Sequence, residues 1–383
     1  MKAVVLGGAG IMGSYAVEVL ARKAFFSELV VADINEERGR EIAAKNDAEF
    51  QKVDVSNAQN LASCIKDADV VINCVGPFYK FAPLVLKAAI EEGVNYVDIC
   101  DDYDVTHELI EKFNEEAMKK GVTCIIGLGA SPGITNVIAS YAAEMLDEIE
   151  EIKVYVTRGI KEEAGEAIPY HMLHCWLGEI PVYENGKYKK ARGLRDGKEC
   201  VRFPEPFGEA FVYYFGHPET VTLPKYIEGV KNVCCKGTFF PPMFREILLN
   251  LEQLGLLSNE LLNVKGHTLT PIDFLASYIS STVQKMSNMP DVPEGGAVMV
   301  EVKGKKNGKA RIYKFSGIAR MKEATATPAA IAAIMIAKNE IKSPGVKAPE
   351  ACVPAKEFLN MLMTEGIFGK TWMAEEKEME ELP

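Results

Sequence analysis

Gly8, Gly10 and Gly13 stand in G-x-G-x-x-G spacing directly behind the apolar run of residues 2–6, and this constrains the fold more than any other feature of the chain. Such a run reads as a buried strand, and the glycines then occupy the turn into a helix. Each has a mechanical reason to be there. Gly8 allows a tight turn out of the strand, and Gly10 carries no Cβ to hold a pyrophosphate off the backbone. Gly13 lets the helix pack close to the sheet, with its N-terminus toward the phosphates. Ile11 and Met12, between the last two glycines, join them as candidate cofactor-binding residues.

A second apolar run, residues 29–32, closes on Asp33, twenty residues past Gly13. A carboxylate at a second strand end accepts hydrogen bonds from the adenosine ribose hydroxyls and repels a 2′-phosphate. No arginine occupies positions 34–36; Arg38 and Arg40 come later, on a predicted helix. NAD is therefore expected over NADP. The competing reading is that Asp33 merely caps that helix.

The alternation continues. Residues 3–6, 29–32, 70–75, 96–99 and 123–126 read as strands, and residues 15–22, 36–45, 61–65, 83–92 and 106–119 as helices. A further strand is expected at residues 52–55, placing Asp54 and Val55 near the adenine. This rhythm implies an α/β fold, a Rossmann-type parallel sheet covered on both faces. After Asn136 the pattern changes to a helix at 137–146, a strand at 152–157, a Pro-, Gly- and aromatic-rich stretch and a hairpin across 304–308. That is an α+β region around an antiparallel sheet. Residues 327–337 are alanine-rich, with Pro328 taken as a helix start, and the Glu-rich residues 375–381 read as a solvated terminus. The expected division is a dinucleotide domain at 1–130, a second α+β domain at 131–326 and a C-terminal segment at 327–383.

A length of 383 residues fits two domains, and 48% hydrophobic with 25% charged residues is a globular composition. The net charge of -11 disfavours nucleic acid and anionic membranes as partners. The apolar run 329–337 is too short to span a bilayer, and no secretory leader pattern opens the chain. Nine cysteines without a C-x-x-C pair fit a reducing cytoplasm, and Cys234-Cys235 reads as two buried thiols.

In an open parallel sheet the ligand lies outside the carboxyl ends of the strands. Three loops leave those ends: Gly76-Pro77-Phe78-Tyr79, Cys100-Asp101-Asp102-Tyr103 and Gly129-Ala130-Ser131-Pro132-Gly133. Val75, Gly76 and Pro77 are expected at the cofactor, and Phe78, Ser131, Pro132, Gly133 and Asn136 at the substrate. Asp101, Asp102 and Tyr79 are the candidate catalytic groups, because the carboxylates offer a proton acceptor or a partner for a substrate ammonium. Strand alternation turns only one of the two aspartates inward, and one of them can instead cap the helix near Thr106. His171 and His174 share a helix face but lack a ligand cluster at metal spacing, so no metal is expected. His217 is a candidate cleft residue with a structural alternative. Arg245 is the preferred clamp for a substrate carboxylate, which a guanidinium grips bidentately.

The segments VINCVGPF (71–78), YVDICDD (96–102), GLGASPGITN (127–136), GHPETVTLP (216–224) and TPAAIAAIMIAKNEIKSPGVKAPEACVP (327–354) resemble the saccharopine dehydrogenase family, a likeness running from residue 1 to about 370. The resemblance implies hydride transfer with a nicotinamide cofactor at a C–N bond of an amino acid, in the saccharopine, lysine or carboxynorspermidine class. It also implies a substrate domain that forms a homodimer and a C-terminal helix returning to the first domain. The aromatic run Phe239-Phe240-Pro241-Pro242 is a candidate part of that interface. Ser131 departs from saccharopine reductases, which often carry Asp there. Either Asp101 and Asp102 supply the acid, or the substrate differs. Two other readings remain: a homospermidine-type synthase that returns NAD unchanged, and a catalytically silent NAD-binding protein.

Overall fold

The apolar runs at the start of the chain become parallel strands. The computed structural model describes residues 1–160, 167–258, 260–286 and 292–377. Strand and helix alternate through β1 (Lys2–Leu6), α1 (Ile11–Lys23), β2 (Glu28–Asp33), α2 (Glu36–Lys45), β3 (Glu49–Lys52) and α3 (Ala58–Ile65). They continue through β4 (Val70–Asn73), α4 (Phe78–Glu92), β5 (Asn95–Asp98), α5 (Tyr103–Lys120), β6 (Thr123–Ile125) and α6 (Ile134–Glu144).

The second unit and the return to the first contain β7 (Glu148–Gly159), α7 (Ala167–Cys175), β8 (Glu179–Glu184), β9 (Lys187–Arg192), β10 (Glu199–Arg202) and β11 (Glu209–Tyr214). Then come α8 (Glu219–Tyr226), β12 (Asn232–Phe240), α9 (Met243–Gln253), β13 (Leu262–Val264), β14 (His267–Leu269) and α10 (Pro271–Met286). The chain ends with β15 (Gly296–Lys306), β16 (Lys309–Ala319), α11 (Met321–Ala337), β17 (Gly345–Lys347), α12 (Ala355–Glu365) and β18 (Phe368–Lys377).

One unit comprises residues 1–144, 225–227 and 321–368. Its seven-stranded sheet runs β17-β6-β5-β4-β1-β2-β3, every pair parallel. The order reverses between β1 and β4, which opens a crevice at their carboxyl ends, the place where such sheets bind ligands. Helix α11 packs on α1, β4, β5 and α12. From Thr327 to Ala337 every residue of α11 is buried, and its alanines keep the neighbouring backbones close.

The third strand is Glu49–Lys52, three residues earlier than the pattern suggests. Asp54 ends it differently: its Oδ1 accepts hydrogen bonds from the Ser56 amide at 2.9 Å and hydroxyl at 2.6 Å, which turns the chain toward α3. Two prolines read as helix starts lie inside helices instead. Pro83 follows the Phe78 start of α4, and Pro328 follows the Met321 start of α11. Each removes one backbone donor, a local loss that burial of the surrounding turns outweighs.

The second unit comprises residues 145–224, 228–320 and the chain from 369 onward. Its nine-stranded sheet has the path β10-β11-β12-β7-β15-β16-β18, with β8 and β9 attached at β12. The sheet is mixed rather than antiparallel, because β12 runs parallel to β7 over Asn232–Phe240. A parallel return needs a long crossover, and the segment from α7 to α8 supplies it. Phe239 is buried against Trp176 and Phe244, and Phe240 packs on Phe207. The aromatic run thus serves the core of its own unit.

The Glu-rich end is not simply solvated. Its first residues lie in β18, where Glu375 pairs with Arg311 and Glu376 with Lys314, and residues 378–381 of that tract lie outside the described residues. Among the described residues no helix is long and apolar enough to cross a membrane. Because α11 is closely packed all round, Ala333→Leu should lower stability by about 1–3 kcal/mol, read from the denaturation midpoint. Unchanged stability would show that α11 is loosely seated.

Candidate functional site

The crevice is built by backbone more than by side chains. The turn out of β1 is made at Gly7, which has φ 73°, and not at Gly8. Gly8 is required for a different reason, since a Cβ there would meet the Val31 side chain at 2.8 Å and the Val5 carbonyl at 3.0 Å. A Cβ on Gly13 would stand 2.1 Å from the Gly7 carbonyl oxygen, so only glycine lets α1 sit this close to the loop. A Cβ on Gly10 would meet nothing but that same carbonyl, at 3.1 Å. Helix α1 has no acidic residue in its first turn and no side-chain cap. The amides of Ile11, Met12 and Gly13 have no acceptor within the helix, and the helix dipole adds positive potential there. An open glycine face before uncapped amides fits the pyrophosphate of a dinucleotide.

Asp33 is fixed at the rim of this cradle. Its Oδ2 accepts from the Ala9 amide and its Oδ1 from the Asn35 amide, both at 2.9 Å. It therefore ties the glycine loop to the β2–α2 turn, whereas the cap on α2 is Asn35, whose side chain accepts from the Arg38 amide. Each Asp33 oxygen keeps a second lone pair for a ribose hydroxyl. Asp54 is exposed and Val55 buried in the loop after β3. The Ser56 hydrogen bonds hold the Asp54 carboxyl below its ordinary range.

The loop after β4 lies against the glycine loop. A Cβ on Gly7 would come within 2.9 Å of the Cys74 carbonyl and 3.1 Å of the Val75 amide nitrogen. Val75, Gly76 and Pro77 are half-buried, Phe78 is buried, and Tyr79 projects from the first turn of α4 with 54% exposure. In the next loop Asp102 is buried and Asp101 partly exposed, although β5 ends at Asp98 and strand alternation does not extend to them. Asp102 is also the N-cap of α5, through its carbonyl rather than its carboxylate.

The loop after β6 is closed by Gly133, with φ 125°, where a Cβ would meet the Gly129 oxygen at 2.1 Å. Asn136 is fully buried beneath it, accepting from the Gly133 amide and donating to Glu350, both at 2.9 Å. These bonds make Asn136 a support of the loop. Pro132 and Gly133 are buried and Ser131 is partly exposed.

Reading the sequence alone misses Asp98. This fully buried carboxylate ends β5 and accepts from the Tyr96 hydroxyl at 2.8 Å, the Cys100 amide at 3.0 Å and the Gly127 amide at 2.6 Å. Burial pushes its pKa up to about 6, against the pull of those hydrogen bonds. The available signal was an acid two residues after Tyr96 on one strand face, beside the polar Asn73 at the end of an apolar strand.

In the second unit His217 is buried, with Nδ1 2.5 Å from Glu219 Oε2. The Cys235 thiol lies 3.9 Å from the same oxygen, and the rings of His171 and Phe215 border the imidazole. His217, Glu219 and Cys235 are the one group of metal-ligand type formed wholly within this unit among the described residues, and His174 is not part of it. Arg245 is committed internally. Its Nε donates to the Leu194 carbonyl at 2.8 Å, and its guanidinium lies 3.8 Å from the centre of the Tyr213 ring. These contacts hold the guanidinium in place within its own unit.

Burial pushes the thiols of Cys64 and Cys234 up to about 12, which leaves them inert. Gly13→Ala should force α1 away from Gly7. We expect at least about a tenfold loss of nicotinamide-nucleotide affinity, by calorimetry, since about 1.4 kcal/mol suffices for it. Wild-type affinity in that variant would disprove the role given to the close contact.

Residues 3–125 match the saccharopine dehydrogenase NADP binding domain, and residues 129–367 the saccharopine dehydrogenase C-terminal domain. Carboxyaminopropylagmatine dehydrogenase of Synechocystis is 23% identical over 97% of both chains. Carboxynorspermidine synthase of Vibrio cholerae is 26% identical over 83% of this chain and 81% of that one. The structure of the L-Glu-forming saccharopine dehydrogenase of Saccharomyces cerevisiae superposes with a TM-score of 0.70 at 16% identity, covering 99% of this chain and 100% of the other. With both family domains matched in order along nearly its whole length, the chain belongs to the saccharopine dehydrogenase family of oxidoreductases.

Proposed function

We propose that the protein is a nicotinamide-dependent oxidoreductase acting at the C–N bond of an amino-acid-derived or opine-like substrate. The observation that carries this reading is the meeting of the glycine loop with the loop after β4 at the reversal of strand order. When bound, the nicotinamide nucleotide supplies or accepts the hydride. The amides of Ile11, Met12 and Gly13 hold its phosphates, with Gly8 and Gly10 keeping the approach clear. Asp54, Val55, Val75, Gly76 and Pro77 line the rest of its path. An ammonium has no lone pair to stabilise a forming imine, so a nearby group must first take its proton. Asp101 and Asp102 serve that purpose, with Tyr79 and Ser131 orienting substrate or water.

Two relatives matched over 97% and 83% of the chain are named for carboxylated amines, which favours a second form of the same chemistry, imine reduction that builds such a compound. Absorbance of reduced nicotinamide, followed while saccharopine, lysine and diamines paired with oxo acids are screened, separates the forms. Amine-dependent oxidation or reduction is expected. Bound cofactor with no turnover on any amine would disprove the proposal.

NAD is the proposed cofactor, on the strength of the fixed Asp33 carboxylate and the absence of arginine at positions 34–36. Replacing Asp33 by Ser together with Ile34 by Arg should move preference toward NADP. Equal use of both cofactors by the wild type would refute the assignment. Asp101→Asn and Asp102→Asn should differ, one losing on the order of a hundredfold in turnover while still binding cofactor. Full activity of both variants would dismiss the pair.

The second unit is the proposed dimer surface. Its exposed apolar residues include Met243 and Ile247 on α9, Phe274 and Tyr278 on α10, and Leu262 and Val264 on β13. Light scattering should give twice the chain mass of 42.1 kDa, and the single mass at micromolar concentration would remove the idea.

A further inference from the structure

Asp98 touches no exposed surface, yet its hydrogen bonds reach every loop that leaves the carboxyl ends of β4, β5 and β6. Oδ1 receives the Cys100 amide of the loop after β5 and the Gly127 amide that opens the loop after β6. Oδ2 receives the Tyr96 hydroxyl. That hydroxyl has a single proton and gives it to Asp98, so it can only accept from Asn73, whose Nδ2 lies 2.9 Å away. With its amino group so committed, Asn73 turns Oδ1 to the Val75 amide at 3.0 Å. The chain of bonds has one direction, and the negative end at Asp98 sets it.

We propose that Asp98 is a positioning residue for the nicotinamide nucleotide, acting through Tyr96 and Asn73 on Val75 and through Oδ1 on the two neighbouring loops. The inference rests on the assignment of this crevice to that nucleotide. Val75 precedes Gly76 and Pro77, and its amide nitrogen lies within 3.1 Å of where a Gly7 Cβ would be, so an error at Asn73 is passed directly to the cradle. A neutral side-chain amide at position 98 would act differently. Its oxygen could still accept from both backbone amides, but its amino group would face Tyr96 and send the hydroxyl proton elsewhere. If Asn73 flipped to receive it, a donor would face the Val75 donor.

Among the described residues, the groups acting on the carboxylate include no cation. They are Tyr96 on its own strand, Asp101 and the Cys100 thiol in the loop that follows, and the thiols of Cys74 and Cys124 at the flanking strands. Asp98 is raised to about 6 by burial, with Asp101 adding to the effect. The fold favours the protonated form, so the contribution of this group to stability is complete below the ordinary carboxylate range and is lost as pH rises through about 6. Near pH 7 the ionised group weakens the fold, while its negative charge sets the loops. Affinity for the nucleotide should therefore fall as the solution is acidified through about 6.

The test measures NADH and NADPH affinity by fluorescence on the full chain, for wild type, Asp98→Asn and Tyr96→Phe, with thermal unfolding of each. At about pH 7.5, Asp98→Asn should not lower the melting temperature, yet should bind the preferred nucleotide about tenfold more weakly, the scale of one charged hydrogen bond. Its affinity should no longer change through the pH range where the wild type weakens. Tyr96→Phe cuts the relay to Asn73 while leaving both amide bonds to Oδ1, and should weaken binding by a smaller factor. Wild-type affinity in a folded Asp98→Asn overturns the proposal. If that variant fails to fold, wild-type affinity in Tyr96→Phe, or a wild-type affinity that does not weaken on acidification, overturns it instead. Failure of the wild type to bind either nucleotide is a separate result, and would overturn the functional reading first.

Discussion

Backbone meets backbone without an intervening side chain at Gly7, and the dinucleotide unit depends on that contact. Its amide and that of Gly8 both donate to the Ala32 carbonyl, at 2.9 and 3.2 Å, which fastens the end of β1 to β2. Its carbonyl accepts from Gly10 at 2.9 Å and is also the atom against which Gly13 packs. The loop after β4 lies on its other side. Three elements that diverge in sequence thus meet at one residue, where the strand order reverses. A side chain at Gly7 would need both a left-handed φ and room within 2.9 Å of the Cys74 carbonyl. The phosphate cradle is a consequence of this packing rather than a feature laid over it.

Such a cradle leaves polar backbone groups inside the protein, and they must be satisfied. Asp33 takes the Ala9 amide, Asn73 that of Val75, Asp98 those of Cys100 and Gly127, and Asn136 that of Gly133. Asp33, Asn73 and Asp98 stand at strand ends and Asn136 in the first turn of α6, and none of the last three is exposed. Burial of so many polar groups costs stability, and the apolar packing of α11 against α1, β4 and β5 offsets it from within the same unit. The C-terminal segment also reaches the site directly, since Glu350 receives the Asn136 amide. That gives a physical reason for a chain whose last helices return to its first sheet.

Much of this was legible in the sequence because strands buried on both faces produce apolar runs, and β1, β2, β4 and β6 do so. The edge strand β3 does not. Its Glu49-Phe50-Gln51-Lys52 is partly exposed, so apolarity points past it to the valines that follow. Spacing alone also could not say which of Gly7 and Gly8 takes the positive φ, because that depends on the approach of a loop about seventy residues away. Pro83 and Pro328 mislead for a related reason. Proline statistics describe isolated helices, while these two are held by buried surroundings. β18 owes its place to pairing with β16, a non-local partner that no local pattern in an acidic tail announces.

The site residues divide along the same line. Glycines whose task is steric were visible, because no other residue type could be there. Side chains that act by hydrogen bonding to loops were not, since Asp98 and Asn73 look like minor interruptions of strands whereas Asp101 and Asp102 look like chemistry. Arg245 and His217 carry internal bonds that the sequence does not announce. Both look available for a substrate in the sequence, yet Arg245 is committed to Leu194 and Tyr213, and one nitrogen of His217 is bound to Glu219. Glu219 is itself fully buried and stands two residues away across the turn into α8. A carboxylate in that position needs a proton or a cation beside it, and the imidazole answers that need whatever else it does. In both units, then, a buried acid is best understood first through the donor that makes its burial tolerable, and only afterwards through the reaction it stands near.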